Sequence, residues 1–168
     1  MSGPQNPVPT LGPGSGPIPI AGHLLFWTVT LLGAGVDYLT KSVIFPYLSA
    51  LPEQRRVLVD GLLSLSARRN TGGPFSILSE HPEWLAGVTV TALLVIGYLY
   101  LSSVRAGQPV MVLGLAMVAA GAVGNLLDRL RYGYVRDFVD VQIGNWHYPT
   151  FNVADTIICI GAGLILVA

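Results

Sequence analysis

The sequence predicts an all-α membrane protein with four transmembrane helices and a small extracytoplasmic β-platform in the first loop. Three observations predict it. The 168 residues are 52% hydrophobic and only 11% charged, with a mean hydropathy of +0.60, outside the composition of an ordinary soluble domain. Four apolar stretches can cross a hydrocarbon core; a core about 30 Å thick takes roughly 20 residues of helix, because unpaired backbone groups in lipid cost several kcal/mol each. The ionisable residues gather at the ends of these stretches.

Residues 1–19 (MSGPQNPVPTLGPGSGPIP) are rich in Pro and Gly and carry no charge, the composition of a flexible tail, and residues 20–168 are expected to fold as one domain. No Lys or Arg precedes Lys41, so the basic start of a cleavable signal is missing and the first helix is expected to remain in the mature protein. That first span, residues 20–45, carries Asp37 and Lys41 near its far end. Residues 46–83 combine alternation (VLVDGLLSLSARR) with a glycine-proline run (RNTGGPFSIL), which predicts the sheet platform. A second, uniformly apolar span covers residues 84–103, and a short connection at 104–108 makes it a hairpin with the third, residues 109–127. The third span is rich in small residues (GLAMVAAGAVGN), which let helices approach closely. Residues 129–150 are aromatic and mixed in charge, with Trp146, Tyr148 and Pro149 suited to a membrane interface. The fourth span covers residues 151–168; its Cys159 reads as a small buried hydrophobe.

Several functions are disfavoured at once. Nine basic residues balance nine acidic ones, so no global field draws nucleic acid. His23, His81 and His147 are scattered without ligand spacing, so no metal is expected. No G-x-S-x-G occurs, and Ser64, Ser66 and Ser76 lack a nearby His in the chain. The NTGGPFS run lacks the lysine of a phosphate-binding loop. Orientation is awkward: Arg55, Arg56, Arg68, Arg69, Arg131 and Arg136 lie on the side opposite the termini and Arg105. A plain positive-inside count makes that arginine-rich side cytoplasmic, although folded loops and arginines beside carboxylates follow the rule poorly.

An ionisable residue within a span costs roughly 2.5–3.5 kcal/mol on insertion scales, so each calls for a partner or a function. Asp37 and Lys41, four apart, share a helix face and fit a neutralising ion pair. In GNLLDR, Asn125, Asp128 and Arg129 also share a face, which suits an inward polar surface or a helix end with a salt bridge. Asn152 and Asp155 project together from the first turn of the fourth helix, where negative charge is favoured and caps are common. Asp137, in VRDFVD, can fold back toward Asp155. Two carboxylates held close cannot both ionise; one keeps a proton, giving an acid and a base around a water, enough to hydrolyse a peptide bond. Arg129 beside Asp128 argues against a shared proton there, but Arg136 precedes Asp137, so the residues alone leave the membership of the pair open. A transporter or proton channel with Asp37, Lys41, Asp128 and Asp155 as a polar relay is one alternative, and a purely structural subunit is another. Clustering of the polar residues at helix ends argues against the relay.

Five blocks in order, GVDYLTK, RNTGGPFSIL, GNLLDR, VRDFVD and FNVAD, run from Gly35 toward the C-terminus. In these the chain resembles the bacterial lipoprotein signal peptidases, also called signal peptidase II. The resemblance implies a membrane aspartyl endopeptidase that cleaves prolipoproteins just before the diacylglyceryl-modified cysteine. It implies residence in the bacterial cytoplasmic membrane, with cytoplasmic termini and an active site toward the outer leaflet. Its partners would be prolipoproteins and membrane lipids, without nucleic acid, cofactor or metal, and the enzyme is expected to act as a monomer. Carried over, the catalytic pair is Asp137 and Asp155, and Asp128 pairs with Arg129 as a supporting residue. Asp37, Lys41, Asn70, Gly72, Asn125, Arg129 and Asn152 match positions that shape the site or contact substrate. The chain departs from the family pattern at Gly73-Pro74, where small residues such as alanine are usual, in its N-terminal tail, and in lacking a basic tail after Ala168.

Overall fold

The computed structural model describes residues 20–72 and 82–168. The flexible-tail reading of residues 1–19 and the readings of Gly73, Pro74, Ser76 and His81 lie outside the described residues.

The elements follow in the order α1 (Ile20–Ser49), β1 (Arg55–Val59), β2 (Leu63–Asn70), α2 (Pro82–Arg105), α3 (Pro109–Tyr132), β3 (Val135–Ile143), β4 (Trp146–His147) and α4 (Val153–Val167). Of these, α1, α2 and α3 are long and apolar enough to cross a membrane, whereas α4, at 15 residues, is apolar but shorter. The fourth predicted span thus loses its first two residues to the approach to the helix, where Phe151 bridges to β3. Large apolar side chains point outward along the helices, Leu31 being 68% and Leu94 71% exposed. Such a surface is stable against lipid rather than water. Cys159 is also exposed, not buried as its apolar surroundings suggested; an all-round apolar helix does not reveal which of its faces is covered.

α3 is the central helix and packs on α1, α2 and α4. Its small residues permit the approach. A Cβ on Gly121 would run into the Ala154 carbonyl oxygen of α4, and one on Gly161 of α4 would come within 2.7 Å of the Gly114 oxygen. Toward the other end, Phe26, Tyr100, Val104, Val112, Leu115 and Ala119 form the apolar core, with Phe26 stacked on Tyr100.

The sheet departs from the expected first-loop platform. Its order is β1-β2-β3-β4, antiparallel throughout, so half of its strands come from the connection after α3. The reason β3 is hard to see in sequence is that Val135, Arg136, Asp137 and Phe138 are all buried. A strand covered on both faces loses the polar-apolar alternation that marks a half-exposed one. Gly133 makes the turn from α3 into β3 possible: its φ of 77° is left-handed, and its N–H closes the helix on the Arg129 carbonyl.

Candidate active site

Three features of the fold bring distant residues together at the sheet end of the bundle. β3 pairs with β2 so that Asn70 lies opposite Val135, one diagonal step from Asp137. The approach to α4 is tied to β3, Phe138 and Val139 both donating their N–H to the Phe151 carbonyl and Phe151 N–H returning to Val139. Asn152 then caps α4 through a reciprocal pair, its side chain accepting from the Asp155 N–H while the Asp155 carboxylate accepts from its own N–H.

The result is a pair of aspartates hung on one asparagine. Asn152 Nδ2 donates to Asp137 Oδ1 at 2.7 Å, and Asn152 main-chain N–H donates to Asp155 Oδ2 at 3.1 Å. The outer oxygens have donors of their own: Asn70 Nδ2 reaches Asp137 Oδ2 at 3.0 Å, and Asn125 Nδ2 reaches Asp155 Oδ1 at 2.8 Å. Asn125 is itself fixed, its Oδ1 accepting from Lys41 Nζ at 2.9 Å and from Asn152 Nδ2 at 3.2 Å. Asp137 is 1% exposed. Burial, reinforced by the charge of Asp155, pushes its carboxyl up to about 6 against the pull of the Asn70 and Asn152 hydrogen bonds.

Behind the pair lies a buried ionic layer. Lys41 meets Asp37 at 2.7 Å and Asp128 at 3.5 Å, and neither Lys41 nor Asp37 has any exposed side-chain surface. Asp37 Oδ1 also accepts the Ala154 N–H, tying α1 to the first turn of α4. Gly124 leaves the room for this, since a Cβ there would overlap the Asp37 carboxylate. Asp128 is not paired with Arg129 as the sequence suggested. Its partner is Arg136, which donates from Nη2 at 2.7 Å, from Nε to both oxygens, and from its main-chain N–H at 2.9 Å. Adjacent residues on a helix do not face each other, and β3 folds back to present Arg136 instead. Arg129 is half-buried, forms no ion pair among the described residues, and has Asp155, Asp137 and Asp128 within electrostatic reach. Gly72 is buried two residues beyond Asn70, where the described segment ends.

Arg136 and Gly124 were missed as site residues. Both stand inside the quoted blocks, but the pairing of Asp128 with Arg129 expected from sequence left no unmatched charge to point to Arg136. The platform also brings together a serine, a histidine and an aspartate, but Ser64 donates to Asp140 and His147 Nδ1 approaches the other oxygen of Asp140 at 3.8 Å. In that arrangement the carboxylate lies between the hydroxyl and the imidazole, so no imidazole faces the serine as a nucleophile's partner would.

Fold and site together define a class: a helical membrane protein that gathers two hydrogen-bonded aspartates at one end of its bundle. A model of the family described as signal peptidase (SPase) II matches residues 29–168. The chain belongs to the signal peptidase II family, membrane proteases that remove signal peptides from prolipoproteins. It is 45% identical over 103 residues to a lipoprotein signal peptidase of Serratia proteamaculans, a match covering 58% of this chain and 60% of that one. A lipoprotein signal peptidase of Nitratidesulfovibrio vulgaris is 37% identical over 143 residues, 83% of each chain. Among solved structures, a bacterial membrane enzyme determined by the in meso method superposes with a TM-score of 0.71 at 26% identity, covering 89% of this chain and 87% of that one.

Proposed function

We propose that this chain is a lipoprotein signal peptidase that cleaves prolipoproteins before the diacylglyceryl-modified cysteine, with Asp137 and Asp155 as the catalytic pair. The observation that carries the reading is the shared asparagine: one residue, Asn152, hydrogen bonds to both carboxylates. Asp137 is the member that holds the proton, because it is the buried one. Asp155, at the positive end of α4 and accepting donors at both oxygens, is the base that takes a proton from the attacking water. Asp137 donates to the carbonyl oxygen as the tetrahedral intermediate forms, and the same proton economy runs in reverse to release the amine. Asn70, Asn125 and Asn152 orient the two carboxyls, Lys41, Asp37 and Asp128 fix Asn125 and the entry of α4, Arg129 and Gly72 face the substrate side, and no metal or cofactor takes part.

In this reading all four helices span the bacterial cytoplasmic membrane, with cytoplasmic termini and the sheet at the outer leaflet, and a monomer suffices. The precursor arrives laterally through lipid. A 960 Å³ apolar groove lined by Trp84, Val88, Thr91, Val95, Ile96 and Val118 offers its signal helix a place alongside α2 and α3. The deciding experiment is digestion of matched precursors by purified protein, one carrying the diacylglyceryl group and one without it. Cleavage is expected for the lipidated form alone. Equal cleavage of both, or none of the lipidated form, would refute the assignment.

A pH profile tests the proton. With Asp137 near 6, the pair holds one proton below that pH and loses it above, so kcat is expected to fall as pH rises through about 6. Asn70 donates to the ionised form and holds this value down. Asn70→Ala is therefore expected to move the alkaline limb to higher pH, whereas a limb that stays in place or moves down would contradict the role given to Asn70.

A further inference from the structure

Between α1 and α3, on their outward surface, lies a second recess of 250 Å³ lined by Tyr38, Leu127, Asp128, Leu130, Arg131, Tyr132 and Arg136. Neither Asp137 nor Asp155 lines it. Three charged groups do: Asp128 and Arg136 neutralise each other at 2.7 Å, which leaves Arg131. Among the described residues Arg131 forms no ion pair. It is nonetheless held at the mouth of the recess, Nη1 donating to Tyr38 Oη at 3.4 Å and the guanidinium lying 5.3 Å from the Tyr132 ring centroid. The same ring carries Arg136 at 4.6 Å on its way to Asp128. Leu127, one turn toward the middle of α3, and the 70% exposed Leu130, next to Arg131, supply an apolar wall.

We propose that this recess binds the phosphodiester headgroup of an anionic membrane lipid, with Arg131 on the phosphate and an acyl chain against Leu127 and Leu130. Four arguments converge. A guanidinium presents forked donors that match phosphate oxygens. Arg131 stands exposed in the last turn of a membrane-crossing helix, the depth at which lipid phosphates lie and to which arginines at helix ends reach. The recess carries one net positive charge, which favours an anionic headgroup over a zwitterionic one. A soluble anion would have no use for the apolar wall below the arginine.

Native mass spectrometry of the purified protein tests this by titration with phosphatidylglycerol, with phosphatidylcholine, and with inorganic phosphate as competitor. One saturable phosphatidylglycerol site is expected, weaker by about fivefold in Arg131→Gln. Arg131→Lys, which keeps the charge, is expected to lose less. Arg56→Gln, on β1 and hydrogen bonded to Tyr47, is expected to bind as the parent does. Unchanged lipid binding in a folded Arg131→Gln protein would overturn the proposal. So would displacement of the lipid by free phosphate, which would make the recess a simple anion site, or equal affinity for phosphatidylcholine, which would leave the charge without a role.

Discussion

Asp137→Asn and Asp155→Asn are each expected to depress cleavage of a diacylglyceryl-modified precursor by about ten-thousand-fold, the upper end of what a positioned acid or base contributes. Asparagine keeps the shape of aspartate but can neither ionise nor take up and give back a proton. Each carboxylate accepts two side-chain or main-chain N–H donors, so the amide retains one accepting oxygen and loses about 1 kcal/mol at the other. The variants should therefore stay folded, with thermal unfolding in detergent close to that of the parent. Substantial cleavage by either folded variant would remove the pair from the mechanism. Asp128 is the natural rival, being an aspartate in the same cluster. The geometry gives it a different task, because both its oxygens accept from Arg136 and one of them also meets Lys41. A carboxylate whose two oxygens are both taken up by cations serves to hold β3 and α1 against α3, and presents no free oxygen to a water or a substrate.

How much of this was readable in advance depends on range. Local spacing was enough for contacts made within one helix: the Asp37–Lys41 pair at i and i+4 and the capping of α4 by Asn152 follow from helix geometry alone. The folding back of Asp137 toward Asp155 was within reach only as a possibility, and its route through Asn152 not at all, because both depend on the Phe151 bridge to β3, a pairing of non-adjacent segments with no signature in either. Asp128 was given the wrong cation for a related reason. Arg129 is nearer in sequence, yet side chains at successive helical positions diverge, and Arg136 arrives only once Gly133 has turned the chain. Exposure was the least legible quantity. In a chain whose helices are apolar on every side, hydropathy separates membrane from water but not lipid-facing from helix-facing positions, so Cys159 could not be placed.

Lys41→Met is expected to be the most damaging substitution for the fold, destabilising it by about 3–5 kcal/mol. The lysine is fully buried between Asp37 and Asp128, and Asp37 Oδ2 has no other polar partner among the described residues. Removing the cation strands a carboxylate where neither water nor another donor reaches that oxygen. The loss also travels toward the catalytic pair. Asn125 Oδ1 forfeits its Lys41 donor, and with it the constraint that keeps Asn125 Nδ2 pointed at Asp155 Oδ1. A thermodynamic cycle separates the ion pair from the bulk of the side chain. Asp37→Asn in the Lys41→Met background removes the stranded charge, so the double variant should unfold at a higher temperature than Lys41→Met alone. It should still cleave poorly, because Asn125 has not regained its donor. If the two substitutions instead add, the aspartate and the lysine are not coupled, and the buried pair is not what joins α1 to the site.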